Sequence, residues 1–217
     1  MVQPYLDRKD AGRKLAQQLE KYRFSPDVLV LGLPKGGVVV AGEIASTLDT
    51  ELDVFLVRKL GTPGQPELAM GAIAEGGVLL LNESVVQYLS ISRETIERTA
   101  KEELIELERR EKLYRNGRPA PRIGGRPVII VDDGVATGAT MKVAIRALQR
   151  REPSKIVVAV PVGSSSTCLE IKAMADEVVC PMTPEPFMAV GNWYSDFEQT
   201  TDAEVAGILE REANRKR

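Results

Sequence analysis

Short apolar runs alternate along this chain with stretches in which apolar residues recur every three or four positions. Over residues 9–23, Ala11, Leu15, Ala16 and Leu19 fall at helical spacing, and Ser25-Pro26 ends the pattern. Asp27-Val28-Leu29-Val30-Leu31-Gly32 then reads as a buried strand. A Pro34-Lys35-Gly36-Gly37 turn leads into a helix over 38–48, and residues 52–58 read as a second buried strand. Residues 61–66, rich in Gly and Pro, predict a loop, and 68–74 with 78–81 a hairpin through Glu75-Gly76-Gly77. A highly charged helix is expected over 92–115, broken afterwards by Gly117, Pro119, Pro121, Gly124 and Gly125. Further strands are expected at 127–131, 155–160 and 177–180, with helices at 139–150, 168–174 and 201–212, the last capped by Asp202. Strands alternating with helices predict an α/β fold: a mainly parallel twisted sheet with helices on both faces. Ligands on such sheets bind at the carboxyl ends of the strands.

At 217 residues the pattern fits one domain spanning 1–217, with 82–126 as a helical, flexible excursion. No apolar run approaches the length of a membrane helix, and the start MVQPYLDRKDAGRK has no signal-peptide core, so a cytoplasmic protein is expected. A net charge of -2 makes nucleic acid an unlikely partner. Cys168 and Cys180 sit in apolar sequence and read as buried small hydrophobes. The absence of histidine excludes Ser-His-Asp and Cys-His catalysis and every His-ligated metal site. Chemistry here must come from carboxylates, cations, backbone amides or a metal carried by the substrate.

Three strand ends offer such groups. Gly32-Leu33-Pro34-Lys35-Gly36-Gly37 lets the backbone approach a ligand at the start of a helix, with Lys35 adding charge. Arg58-Lys59 places two cations at the end of the second strand, either solvated or paired with an anion. The third end, Val128-Ile129-Ile130-Val131-Asp132-Asp133-Gly134-Val135-Ala136-Thr137-Gly138-Ala139-Thr140, carries most information. Ionised Asp132 and Asp133 are acceptors and suit hydroxyls, not phosphate. The small residues that follow can form an amide cradle for a phosphate, assisted by the Thr137 and Thr140 hydroxyls. Hydroxyl acceptors a few residues from a phosphate cradle describe a ribose 5-phosphate site.

The segment 128–140 resembles the phosphoribosyl diphosphate (PRPP) motif of the type I phosphoribosyltransferases, and the resemblance extends over about residues 27–197. It implies that Asp132 and Asp133 hold the ribose hydroxyls and that Ala136, Thr137, Gly138, Ala139 and Thr140 hold the 5-phosphate. Pro34-Lys35-Gly36-Gly37 is similar to the family's pyrophosphate loop, which often contains a non-proline cis peptide. Arg58-Lys59 resembles a pair directed at pyrophosphate. Residues 187–197 resemble the base-binding hood of purine members, implying base contacts from Phe187, Trp193 or Tyr194 within a hood segment at 181–200. Hypoxanthine-guanine members carry a lysine after the strand equivalent to 155–160, whereas Pro161-Val162-Gly163 stands here.

The resemblance implies transfer of a phosphoribosyl group from PRPP to a nitrogen of a base or amine, with release of pyrophosphate. Mg²⁺ is expected to arrive with PRPP rather than in a protein cage, with Asp132 and Asp133 available to its outer sphere. The basic residues Arg109, Arg110, Lys112, Arg115, Arg118, Arg122 and Arg126 lie where the family's closing loop would be. They imply a mobile, cationic lid with Arg115 as a catalytic cation; a solvated amphipathic helix is the alternative. A PRPP- or nucleotide-sensing regulator and a noncatalytic sugar-phosphate module are the alternatives to an enzyme. Homodimerisation is left open.

Overall fold

In the computed structural model, residues 3–215 are described, apart from the side chains of residues 66 and 67. The apolar runs of the sequence form a five-stranded parallel sheet. Its strands are β1 (Leu29–Gly32), β2 (Glu51–Val54), β6 (Pro127–Val131), β7 (Lys155–Ala159) and β8 (Glu177–Val179), in the order β2-β1-β6-β7-β8. The period-2 geometry of a strand sends alternate side chains to opposite faces. Val30, Ile129, Val131, Val157 and Ala159 join a core with α1 (Arg8–Gln18), α2 (Gly36–Leu48) and α7 (Asp202–Arg215). Leu29, Leu31, Val128, Ile130, Ile156 and Val158 face α5 (Ala139–Gln149) and α6 (Ser165–Lys172). Both faces are therefore covered, which is why these strands read as continuous apolar runs. Each fully buried Val, Leu or Ile contributes about 1.5–3 kcal/mol relative to exposure.

The chain leaves β1 towards β2 on one side and continues from β6 to β7 and β8 on the other. The order reverses between β1 and β6, which opens a crevice at their carboxyl ends. Gly32 and Val131 are register partners there, and the Leu33 amide donates to the Val131 carbonyl at 2.8 Å. The loops after these two strands thus start side by side.

The expected second strand over 52–58 is divided. β2 ends at Val54, and residues 57–62 form β3 (Val57–Thr62) of a separate antiparallel sheet with β4 (Gln65–Ala74) and β5 (Val78–Leu81). Leu60 and Thr62 point inward while Lys59 is exposed, an alternation hidden inside the longer apolar run. The expected loop at 61–66 is accordingly a tight hairpin turn, with Gly64 at φ +78°. α3 (Glu83–Tyr88) was not read from the sequence; its signal is Asn82, whose side chain caps it. α4 (Arg93–Arg115) matches expectation, and Ile96, Leu107 and Tyr114 join the main core. The first helix is shorter than expected, followed by a 3-10 turn at Glu20–Tyr22. α7 is capped by Thr201, not Asp202. The Thr201 hydroxyl accepts from the Glu204 amide and the Glu204 carboxylate accepts from the Thr201 amide, a reciprocal capping box. Cys168 and Cys180 are free thiols and half-buried rather than fully buried. Among the described residues no helix is long and apolar enough to cross a membrane.

One surface cluster gives the fold a pH signature. Burial would raise the Glu177 carboxyl, but Lys155, Lys21 and the Tyr22 hydroxyl overcome it and hold it down to about 2. A depressed carboxyl stabilises the fold above its unfolded pKa, and that stability is lost as pH falls from about 4.5 towards 2. After solvent screening, about 1 kcal/mol is expected. Denaturant titrations of Glu177→Gln and the parent should converge in that window and separate above it.

Candidate functional site

The crevice is bounded by two helix N-termini, and their chemistry differs from that of the other helices. Side chains cap α1 (Asp7), α3 (Asn82), α4 (Ser92), α6 (Ser164) and α7 (Thr201). α2 and α5 begin at Lys35 and Gly138 with no side-chain cap. A helix N-terminus carries free amides and the positive end of the dipole. The two helices at the crevice are the two that leave these amides for something else, although a cap is worth about 1 kcal/mol.

The α5 N-terminus closes the loop at 134–138. Gly138 adopts φ +66°, a left-handed conformation that suits glycine, and turns the chain into the helix. The loop is held from behind. The Ser164 and Thr167 hydroxyls both donate to the Ala136 carbonyl, at 3.0 and 2.6 Å, and the Val135 amide donates to Val162. The amide side is left facing a cavity of about 240 Å³, lined by Asp132, Ala136, Thr137, Gly138, Ala139, Thr140 and Lys59. The five residues expected to hold a phosphate are therefore brought together around one space.

The acid pair stands between this cavity and the α2 turn. The peptide Pro34-Lys35 is cis. A Cβ at Gly36 would lie 1.9 Å from Asp133 Oδ2, and one at Gly37 would lie 2.7 Å from the Val131 carbonyl, so glycine alone permits this approach. Burial, and then the neighbouring Asp133, raise the Asp132 carboxyl well above the usual range. Asp133 is raised by burial as well, opposed by Arg8, whose Nε donates to Asp133 Oδ2 at 2.7 Å. Asp132 Oδ1 accepts from the Asp133 amide at 2.9 Å and Asp133 Oδ2 from Arg8, so each acid keeps acceptor sites that hydroxyl donors from a ligand would suit.

Other expected site residues are placed elsewhere. Arg58 pairs with Glu103 at 2.6 Å on α4, whereas Lys59 opens on the 136–140 cavity. Lys35 pairs with Asp202 at 3.1 Å. Arg115 is not a lid cation. It is 1% exposed, and its guanidinium donates to Asp53, Glu75, Glu111 and the Val54 carbonyl. Nor does the segment 116–126 cover the crevice. Arg126 donates to the Asp27 carbonyl and to Glu51, and Gly125 donates to Glu152, all at the amino ends of the strands. The end of the expected lid thus lies at the edge of the sheet opposite the crevice, while Arg115 is locked at the carboxyl end of β2 on the Val54 carbonyl.

The hood segment packs directly on the acid motif: a Cβ at Gly134 would meet Val190 at 2.5 Å. Tyr194 does not present a face for stacking. It is 6% exposed, lies 5.6 Å from the Tyr5 ring and 5.0 Å from Phe197, and donates its hydroxyl to the Asp133 carbonyl at 2.5 Å. Phe187 and Trp193 are half-buried beside the same cluster, and the Trp193 indole N–H is buried without a partner among the described residues. Sequence reasoning missed Arg8. It stacks on Phe197 at 3.8 Å and donates to Glu198, and its only local signal was a basic residue after the helix cap Asp7.

The profile of the family described as "Phosphoribosyl transferase domain" matches residues 2–191. Two curated relatives from Mycobacterium tuberculosis strains, both carrying a provisional phosphoribosyl transferase name, are 48% identical over 205 residues. The match covers 94% of this chain and 46% of each relative, so the chain spans about half the length of the curated relatives it matches. The crystal structure of TT1426 from Thermus thermophilus is 45% identical, with a TM-score of 0.84 over 96% of this chain and 98% of that one. A purine phosphoribosyltransferase from Pyrococcus horikoshii shares the fold at 19% identity and a TM-score of 0.50, over 93% and 99% of the two chains.

Proposed function

This chain belongs to the phosphoribosyl transferase family, and on that premise we propose that it transfers the 5-phosphoribosyl group of PRPP to a nitrogen of a small base or amine. The observation that carries the reading is the pair of uncapped helix N-termini with two carboxylates between them. PRPP has the same order of groups: a 5-phosphate, two hydroxyls and a diphosphate. The α5 amides with Thr137 and Thr140 hold the 5-phosphate, and Lys59 adds charge to that cavity. Asp132 and Asp133 accept from the ribose hydroxyls, and the Gly36 and Gly37 amides receive the diphosphate.

The acceptor nitrogen bonds to C1 as the C1–O bond breaks, its electron pair leaving on the diphosphate, which also takes up the acceptor's surplus proton. Such a step needs positioning, charge neutralisation and a dry site more than acid-base groups, which suits a chain without histidine. The hood lying on Gly134 shields the ribose from water, and Phe187 and Trp193 remain as rings for the acceptor. Among the described residues no group of three or more His, Cys, Asp or Glu could hold a metal. The residues fit Mg²⁺ carried by the diphosphate, with Asp132 and Asp133 at its outer sphere; when bound it neutralises leaving-group charge.

Pyrophosphate release from Mg-PRPP, measured with a panel of purines, pyrimidines and simple amines, tests the reading. Release stimulated by at least one acceptor is expected. PRPP binding without release across the panel would place the chain with PRPP-responsive regulators instead.

Gly36→Ala tests the geometry of the turn. Its methyl would enter the space held by Asp133 Oδ2 and Arg8 Nε, at 1.9 and 2.6 Å. The expected result is loss of the thermal shift that Mg-PRPP gives the parent protein.

A further inference from the structure

The leaving diphosphate needs cations, and the family reading expected them from Arg58, Lys59, Lys35 and the basic run around Arg115. Arg58 pairs with Glu103, Lys35 with Asp202 and Arg115 with the buried carboxylates, while Lys59 opens on the 136–140 cavity. One cation stands at the diphosphate turn instead. Arg8 Nε lies 2.6 Å from where a Gly36 Cβ would be, against the first residue of α2. The helix N-terminus, the glycine turn and a guanidinium thus converge on one point.

We propose that Arg8 is the cation of the leaving-group subsite, held on Asp133 in the free protein and passed to the diphosphate when PRPP binds. The assignment rests on the phosphoribosyl reading above. The exposure of Arg8 and three of its contacts fit a residue that is stored rather than built in. Its side chain is 12% exposed and its Nε lies beside the Gly36 position. It holds Asp133 Oδ2 at 2.7 Å, an acceptor that a ribose hydroxyl would claim. It rests on the Phe197 ring, 3.8 Å from its centroid, and on the Glu198 carbonyl at 2.7 Å, both on the hood side of the crevice. Beside it opens a cavity of about 430 Å³ lined in part by Asp7, Lys9, Val39 and Thr201, which leaves the guanidinium room to turn. A planar guanidinium makes paired hydrogen bonds to phosphoryl oxygens, which a carboxylate partner only rehearses.

Ligand order follows from this exchange. Ribose hydroxyls that displace Arg8 from Asp133 release the cation at the place where the diphosphate lies. A ligand with both groups, PRPP, receives the full benefit. Ribose 5-phosphate alone has to displace Arg8 without giving it a new partner.

Calorimetric titrations of magnesium pyrophosphate and of ribose 5-phosphate into the wild-type chain, Arg8→Gln and Arg8→Lys test the assignment. Arg8→Gln should weaken pyrophosphate by about 10–100-fold, the worth of a charge-assisted contact. Its ribose 5-phosphate affinity should stay within about twofold of wild type or improve. Arg8→Lys should recover part of the pyrophosphate affinity, which a misfolded variant could not do. Equal loss of both ligands would overturn the assignment, because it would mean that Arg8 acts only by holding Asp133. Unchanged pyrophosphate affinity in Arg8→Gln would overturn it too. A wild-type chain that takes neither ligand would overturn the phosphoribosyl reading, and the assignment with it.

Discussion

Replacing Arg115 by methionine is expected to destabilise the fold by about 3–5 kcal/mol, a drop in Tm of roughly 10 °C for a chain of this size. The side chain is 1% exposed and donates to Asp53 at 2.9 Å, Glu75 at 2.9 Å and Glu111 at 2.6 Å. Asp53 and Glu75 are themselves buried, so methionine leaves two carboxylates in the core with little compensation. Arg151 remains on Glu75 at 3.0 Å, which limits the loss on that side. Burial already raises the Asp53 and Glu75 carboxyls, with Arg115 opposing, so removing the cation raises both further. A folded carboxyl raised above its unfolded value stabilises the fold at low pH, and that stability is lost as pH rises through the folded pKa. The variant should therefore lose more stability at pH 8 than at pH 5. Adding Asp53→Asn and Glu75→Gln should return part of the stability at pH 8. Chemical denaturation at the two pH values reads both effects. A loss below about 1 kcal/mol would mean that the cluster is solvated and not a core element.

Replacing Asp132 and Asp133 together by asparagine should cost at least about 100-fold in Mg-PRPP affinity while the fold is kept. Each amide keeps one acceptor oxygen but loses the charge and half of the acceptor sites that the hydroxyls use. Neither acid is held for stability: burial raises both, Asp132 well above its usual range, so their charged forms are tolerated rather than favoured. Loss of the Arg8 contact should lower Tm only by a few degrees. Pyrophosphate alone, which does not reach for the hydroxyl acceptors and no longer draws Arg8 from a charged Asp133, should keep or gain affinity. Calorimetry with both ligands and a melting curve distinguish a damaged ribose site from a damaged protein. Unchanged PRPP affinity would make the two acids bystanders.

Local signals carried the architecture. Apolar runs marked β1, β6 and β7 because both faces of these strands are buried, and small residues after Asp133 marked the α5 entry because the backbone itself lines that cavity. Residues of the capping type also stand before their helices at Asp7, Asn82, Ser92 and Ser164, whereas Lys35 and Gly138 cannot act as side-chain caps. The strand break after Val54 was not legible, since a run that changes sheets has the same composition as one that continues. The two arginines that matter most were misread or missed because their partners are remote. Arg115 finds Asp53 and Glu75 from 62 and 40 positions away, and Arg8 finds Asp133 across 125. In the sequence, Arg115 is one basic residue among seven between positions 109 and 126, and only the fold separates the fully buried one from the half-buried and exposed ones. The aromatic cluster at 187–197 was legible as a cluster, but not that Tyr194 turns its hydroxyl onto the Asp133 carbonyl and closes its own faces.

A crystal structure of the chain with Mg-PRPP tests the central claim most directly. The account predicts the 5-phosphate on the amides of residues 137–140, the ribose hydroxyls within hydrogen-bond distance of Asp132 and Asp133, and the diphosphate at Gly36 and Gly37. PRPP bound away from these two helix N-termini, or a crevice that stays empty at saturating ligand, would contradict it.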